Sequence, residues 1–168
     1  TASFATGNAA IDLGTLDVVG AIDVTTTGTG NATIINTDTT VTTLAASSVA
    51  GDLTVTSTAS GIADSGTITV GGDAVYRTQG VGSSITLDSQ AVTGGFEVDT
   101  TDTSANVTLT TTGTVDFAST STIGGTLGVT TTGAIGDSAG TAILQVTGVT
   151  TLNAGTNAIS LVNASNDF

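Results

Sequence analysis

The chain has 168 residues and a formal net charge of −13, with 14 acidic residues, a single cation (Arg77) and no His, Cys, Met, Trp or Pro. This composition supplies no imidazole base, thiolate nucleophile or soft metal site. It also leaves no lysine for a Schiff base, and no cationic surface for nucleic acid or an anionic membrane.

In chain order, alternating apolar and polar residues predict short half-buried strands. They fall at Ala10-Ile11-Asp12-Leu13, Leu53-Thr54-Val55-Thr56, Ile68-Thr69-Val70, Ile85-Thr86-Leu87, Val107-Thr108-Leu109 and Leu127-Gly128-Val129. Thr, Val and Ile are β-branched and suit strands. Gly, Asn and Asp clusters such as Thr27-Gly28-Thr29-Gly30-Asn31 and Gly71-Gly72-Asp73 mark the corners between them. No apolar stripe of period 3.6 and no run of roughly 18 apolar residues occurs, so neither an amphipathic nor a membrane helix is expected.

The chain matches itself at an offset of about 74 residues. Gly20-Ala21-Ile22-Asp23-Val24 falls on Gly94-Gly95-Phe96-Glu97-Val98, and Gly51, Leu53, Val55 and Thr56 fall on Gly125, Leu127, Val129 and Thr130. Ile11, Ile85 and Ile159 keep the phase over three copies, as do Leu13, Leu87 and Leu161. With small gaps, Ile62-Ala63-Asp64-Ser65 corresponds to Ile135-Gly136-Asp137-Ser138. Residues 20–93 and 94–168 are read as two repeats, and 1–19 as the end of a preceding one, in a single domain. A repeat of this length divides into three or four rungs of roughly 18–25 residues, the size of a solenoid coil. The scarcity of aromatics (four Phe and one Tyr) argues against a β-sandwich, which packs large rings between its sheets. The expected fold is therefore all-β, a parallel β-solenoid.

With no initiator Met and no signal peptide, the chain reads as a mature protein or an excised piece of a longer one. Its end rungs would expose strand edges that invite pairing. This makes Thr1, Phe4, Asp167 and Phe168 the expected interface residues, with a second copy or a tandem neighbour as partner.

Gly125-Thr126-Leu127-Gly128-Val129-Thr130-Thr131-Thr132-Gly133-Ala134-Ile135 resembles the repeat units of filamentous-haemagglutinin-like giant exoproteins. So do Leu144 to Gly155, and Asn157-Ala158-Ile159-Ser160-Leu161-Val162-Asn163-Ala164-Ser165-Asn166-Asp167-Phe168. The resemblance is one of pattern and composition over nearly the whole chain. It implies a right-handed parallel β-helix, exported by a two-partner or autotransporter-like route to the cell surface. It also implies long fibres for adhesion, biofilm or contact with host or neighbouring-cell glycans, and no catalytic residues.

Other chemistry is sparser. Asp64, Asp73 and Asp137 near turns are candidate calcium ligands, since calcium takes oxygen donors; solvated corner residues are the plainer reading, and otherwise no cofactor is expected. Recurrent Thr-x-Thr, as in Thr54-Val55-Thr56 and Thr108-Leu109-Thr110, resembles the ice-binding face of some β-helical antifreeze proteins. Arg77 beside Tyr76 is the one chemically distinct spot, read as a surface pair or as a stacked or ion-paired contact with a neighbouring chain. An enzyme would have to rest on paired carboxylates acting on a sugar, without the surrounding aromatics and bases such sites use. The reading is a non-enzymatic, extracellular structural or adhesive fibre segment; the alternative is a module binding ice, calcium or glycan.

Overall fold

A computed structural model describes residues 1–137 and 142–168. Ser138, the last residue of the second Ile-x-Asp-Ser match, lies outside them. The described residues form twenty strands and no helix, and hence no helix long and apolar enough to cross a membrane.

Every paired strand is parallel. The first rungs are built from β1 (Ala2–Ala5), β2 (Ile11–Leu16), β3 (Ile22–Thr25) and β4 (Ala32–Asn36). Then come β5 (Thr42–Leu44), β6 (Ser47–Val49), β7 (Leu53–Ser57), β8 (Ile62–Asp64), β9 (Ile68–Val70) and β10 (Ala74–Thr78). β11 (Ile85–Val92), β12 (Phe96–Thr100), β13 (Val107–Thr111), β14 (Val115–Asp116) and β15 (Ser121–Ile123) follow. The last five are β16 (Leu127–Thr131), β17 (Ile135–Gly136), β18 (Leu144–Val146), β19 (Thr150–Asn153) and β20 (Ile159–Ser160).

Stacked neighbours are 20 to 24 residues apart in sequence, as in Ala2↔Ile22, Leu53↔Ala74 and Ile135↔Ile159. One rung is therefore one turn of a solenoid. Sheet A runs β1, β3, β5/β6, β8/β9, β11, β13, β16, β19; sheet B runs β2, β4, β7, β10, β12, β15, β18; a short sheet C holds β14, β17 and β20. Sheet A thus has eight levels, about 34 Å along the axis at about 4.8 Å per step.

The alternating sequence explains the cross-section. In β4 and β7 the residues at even spacing are buried and those between are half-buried. The inward side chains of both sheets, such as Ile22 and Val24 from sheet A and Ile34 and Val55 from sheet B, form one core. Each such side chain contributes roughly 1.5–3 kcal/mol by burial. Small and β-branched residues dominate it, but its three largest fully buried members are Tyr76, Phe96 and Phe117. The scarce aromatics are thus used as filling.

The 74-residue repeat does not span a whole number of turns. Three rungs of sheet B carry Ile11 to Ala32, Leu53 and Ala74. Ile85, the repeat counterpart of Ile11, comes eleven residues later and lies in sheet A. A repeat is therefore not a whole number of turns, and equivalent strands move to another sheet: Ile11, Ile85 and Ile159 lie in sheets B, A and C in turn. β3 lies in sheet A and its counterpart β12 in sheet B; β4 and β7 lie in sheet B and their counterparts β13 and β16 in sheet A. The split pairs β5/β6 and β8/β9 both lie in sheet A, whereas their counterparts are divided as β14/β15 and β17/β18 between sheets C and B.

Candidate functional site: corner carboxylates and strand edges

Asp64 closes β8, where the chain turns between two short strands of one rung. Its carboxylate reaches the next rung and accepts from the amides of Asp88 (2.8 Å) and Ser89 (2.9 Å) and from Gln90 Nε2 (2.9 Å). Gln90 enters the interior because β11 slips register between Leu87 and Gln90. There Gln90 Oε1 accepts from the Tyr76 hydroxyl at 2.7 Å, joining sheet A to sheet B across the core. Burial, and then the Asp64 charge, raise the Tyr76 phenol far above its ordinary range, so it acts as a neutral donor.

Asp137 repeats the device. It accepts from the amides of Val162 (2.8 Å) and Asn163 (2.9 Å) and from Asn166 Nδ2 (2.8 Å). Asp137 is only 2 % exposed. Burial pushes its carboxyl up, but these donors outweigh burial and hold it below the ordinary carboxylate range.

Asp73 stands in a different column. Asn31 Oδ1 accepts from the Asp52 amide (2.8 Å), Asp52 Oδ1 from the Asp73 amide (3.0 Å), and Asp73 Oδ1 from the Gly95 amide (2.7 Å). Each corner side chain caps the backbone of the rung above. Asn106 does the same for Thr126 (2.8 Å), as the counterpart of Asn31. Glycine is required above these caps. A Cβ on Gly51 would stand 2.0 Å from Asn31 Oδ1, and one on Gly125 would stand 2.4 Å from Asn106 Oδ1. The structure does not bring Asp64, Asp73 and Asp137 together. Among the described residues no three His, Cys, Asp or Glu side chains are grouped to hold a metal.

Tyr76 and Arg77 do not form a joint surface feature, because strand neighbours point to opposite faces. Tyr76 is buried, while Arg77 points outward and pairs with Glu97 and Asp99 (3.3 Å) one rung above. A cleft of about 470 Å³ beside this cluster is lined by Arg77, Gln79, Asp99 and threonines. Another, of about 490 Å³, lies between the exposed Val41 and Val81 and contains no titratable side chain.

The outward threonine ranks are broken. In sheet A the register places Thr43, Ala63, Thr86, Thr108, Gly128 and Thr151 in one column. In sheet B the column reads Asp12, Thr33, Thr54, Val75 and Glu97.

The end rungs place the expected interface residues as follows. β1 and β2 pair on one side only, with β3 and β4. Phe4 of β1 is half-buried against the core, and Thr1 is exposed beside Gly20. At the other end, Asp167 bridges to Gln145 and Phe168 is 56 % exposed.

A family model described as repeats of unknown function (DUF5649) matches residues 29–101 and again residues 104–168. The chain belongs to this repeat family. The two matches start 75 residues apart, at 29 and 104. One therefore takes in β4 to β12 and the other β13 to β20. No curated protein and no solved structure matches the chain.

The contacts of Asp64 and Asp137 were not foreseen in the sequence. The signal was their shared position in the repeat. Their acceptor role depends on residues 24 to 29 positions ahead, which only stacking brings near.

Proposed function

We propose that this chain is a non-enzymatic structural and adhesive segment of an extracellular, cell-surface fibre. Rungs continue along the axis, either from copy to copy end to end or into further repeats of a longer protein. The observation that carries the reading is the parallel ladder itself. It runs through every rung and ends in β1 and β2 on one side and β19 and β20 on the other, each paired on one side only, while the Gln145–Asp167 bridge covers the outer edge of β18. Unpaired strand edges are templates for another chain. The resemblance to filamentous-haemagglutinin-like exoproteins supports the same reading, with copies of the chain and surface glycans as partners. The acidic surface keeps neighbouring fibres hydrated and apart.

Electron microscopy of the native material, with and without a calcium chelator, tests it. Uniform thin fibres much longer than the roughly 34 Å of one chain are expected. Loss of the fibres on chelation adds calcium as a structural partner. Short isolated rods under both conditions would remove the fibre reading, and glycan or ice binding would then be measured directly.

A further inference from the structure

Three Asn-x-Ser/Thr triplets occur in the chain: Asn31-Ala32-Thr33, Asn106-Val107-Thr108 and Asn163-Ala164-Ser165. This is the acceptor pattern for an N-linked sugar. In a chain so rich in threonine the pattern alone decides nothing, but the three sites differ in structure. Asn106 stands where the chain enters β13. Its Oδ1 accepts from both the amide (2.8 Å) and the hydroxyl (3.0 Å) of Thr126 in the next rung. The amide donor fixes which end of the carboxamide is oxygen, and so turns the nitrogen away from Thr126. Asn106 is exposed, and among the described residues its Nδ2 donates to no partner. The cap itself needs only an acceptor, because Asp52 and Asp73 cap their neighbours with carboxylate oxygens. The nitrogen of Asn106 is thus surplus to the fold. Alternation along the strand sets Thr108 on the outer face as well, and it too is exposed.

Asn31 holds the same place in the other copy. It lies 75 residues before Asn106, the step that also separates the starts of the two family matches at 29 and 104. Its Oδ1 caps the Asp52 amide, and its Nδ2 makes one long contact with Asp52 Oδ2 (3.3 Å). A substituted amide keeps one N–H, so that contact survives a sugar. Asn163 is different. It is half-buried, its Nδ2 donates to the Ala142 carbonyl at 2.7 Å, and its Oδ1 accepts from the amide of Ser165 in its own triplet at 2.9 Å.

We infer that Asn106 and Asn31 are N-glycosylation sites and that Asn163 is not. Nδ2 attacks the anomeric carbon of a phosphate-activated sugar presented by a transferase. The N–C bond forms and the C–O bond to phosphate breaks. The phosphate leaves with the bonding pair, and a base of the transferase takes one nitrogen proton. Asn31 precedes β4 of sheet B and Asn106 precedes β13 of sheet A, so the two sugars stand on different faces. The modification rests on the export proposed above, and not on end-to-end assembly.

Peptide mapping of the native material by mass spectrometry tests it. Cleavage before aspartate puts the three asparagines in separate peptides. Added sugar mass is expected on the Asn106 and Asn31 peptides and not on the Asn163 peptide. Thr108→Val, made in the native source, should remove the sugar from Asn106 and leave Asn31 occupied. Two further variants, made in a host without the transferase, ask whether the nitrogen serves the fold. Asn106→Ala should lower the melting temperature, whereas Asn106→Asp, which keeps the cap oxygen, should not. A loss in Asn106→Asp as large as in Asn106→Ala would show the nitrogen at work in the fold and count against the assignment. A bare Asn106 in the native material, or sugar on Asn163 alone, overturns it. Fibres carrying a bare Asn106 would keep the fibre reading and remove this one, and sugar-bearing short rods the reverse.

Discussion

The two copies of the repeat keep the same local contacts while their equivalent strands join different sheets. In the first copy Ser47 Oγ accepts from the Val24 amide at 3.1 Å; in the second, Ser121 Oγ accepts from the Val98 amide at 3.1 Å. Thr26 Oγ1 donates to the Gly30 carbonyl and accepts from the Ala50 amide. Thr100 does the same with Ala105 and Gly124. Corner chemistry therefore follows the sequence repeat, whichever sheet the strand joins. The copies differ where an aromatic is present. The Asp64 clamp continues through Gln90 to the buried Tyr76, whereas the Asp137 clamp ends at Asn166. Tyr76 corresponds to Leu152, which is only partly buried near the last rung of sheet A.

The largest expected effect separates these two positions. Tyr76→Ala empties a fully enclosed site and should lower stability by about 3–5 kcal/mol, against about 1–2 kcal/mol for Leu152→Ala, read by denaturant titration. Similar losses would mean that the end rung is packed as tightly as the middle.

Removing the clamps comes next. Asp64→Ala and Asp137→Ala should each cost about 2–3 kcal/mol, since each strips charged acceptors from two backbone amides. Combining Asp64→Ala with Gln90→Leu should cost less than the sum, because the two side chains share one network. Additive losses would show that the Tyr76–Gln90–Asp64 chain does not act as a unit.

Acid sharpens the same contrast. The folded Asp137 carboxyl lies below its ordinary range, so its stabilisation is present above the unfolded carboxylate value of about 3.9. It is lost as pH falls through the lower folded value. Asp137→Asn should therefore flatten the fall in denaturation midpoint at low pH, and an unchanged slope would count against the clamp.

Smaller effects test equivalence. Ser47→Ala and Ser121→Ala should each cost about 1–2 kcal/mol and agree within about 0.5 kcal/mol; a large difference would break the correspondence of the copies. Arg77→Gln, at a half-exposed ion pair, should change stability by less than about 1 kcal/mol.

Much of the fold was legible in advance because the alternation of Leu53-Thr54-Val55-Thr56 and its like is a direct record of which side chains face the core. The candidate site was less so. Asp64, Asp73 and Asp137 look alike as turn acids, yet two clamp a broken rung and one belongs to a corner ladder. The inward turn of Gln90 depends on a register slip that no local pattern announces.

The sequence by itself determined the strands, the corners, the 74-residue period and the parallel stacking, since each follows from residue type and spacing along the chain. Only the tertiary structure decided which sheet each strand joins. That depends on the accumulated rung length, set by how many residues each corner takes when packed on its neighbour. The part-turn left over after three rungs is a property of the stack, and it places Ile11, Ile85 and Ile159 in three different sheets around the same core.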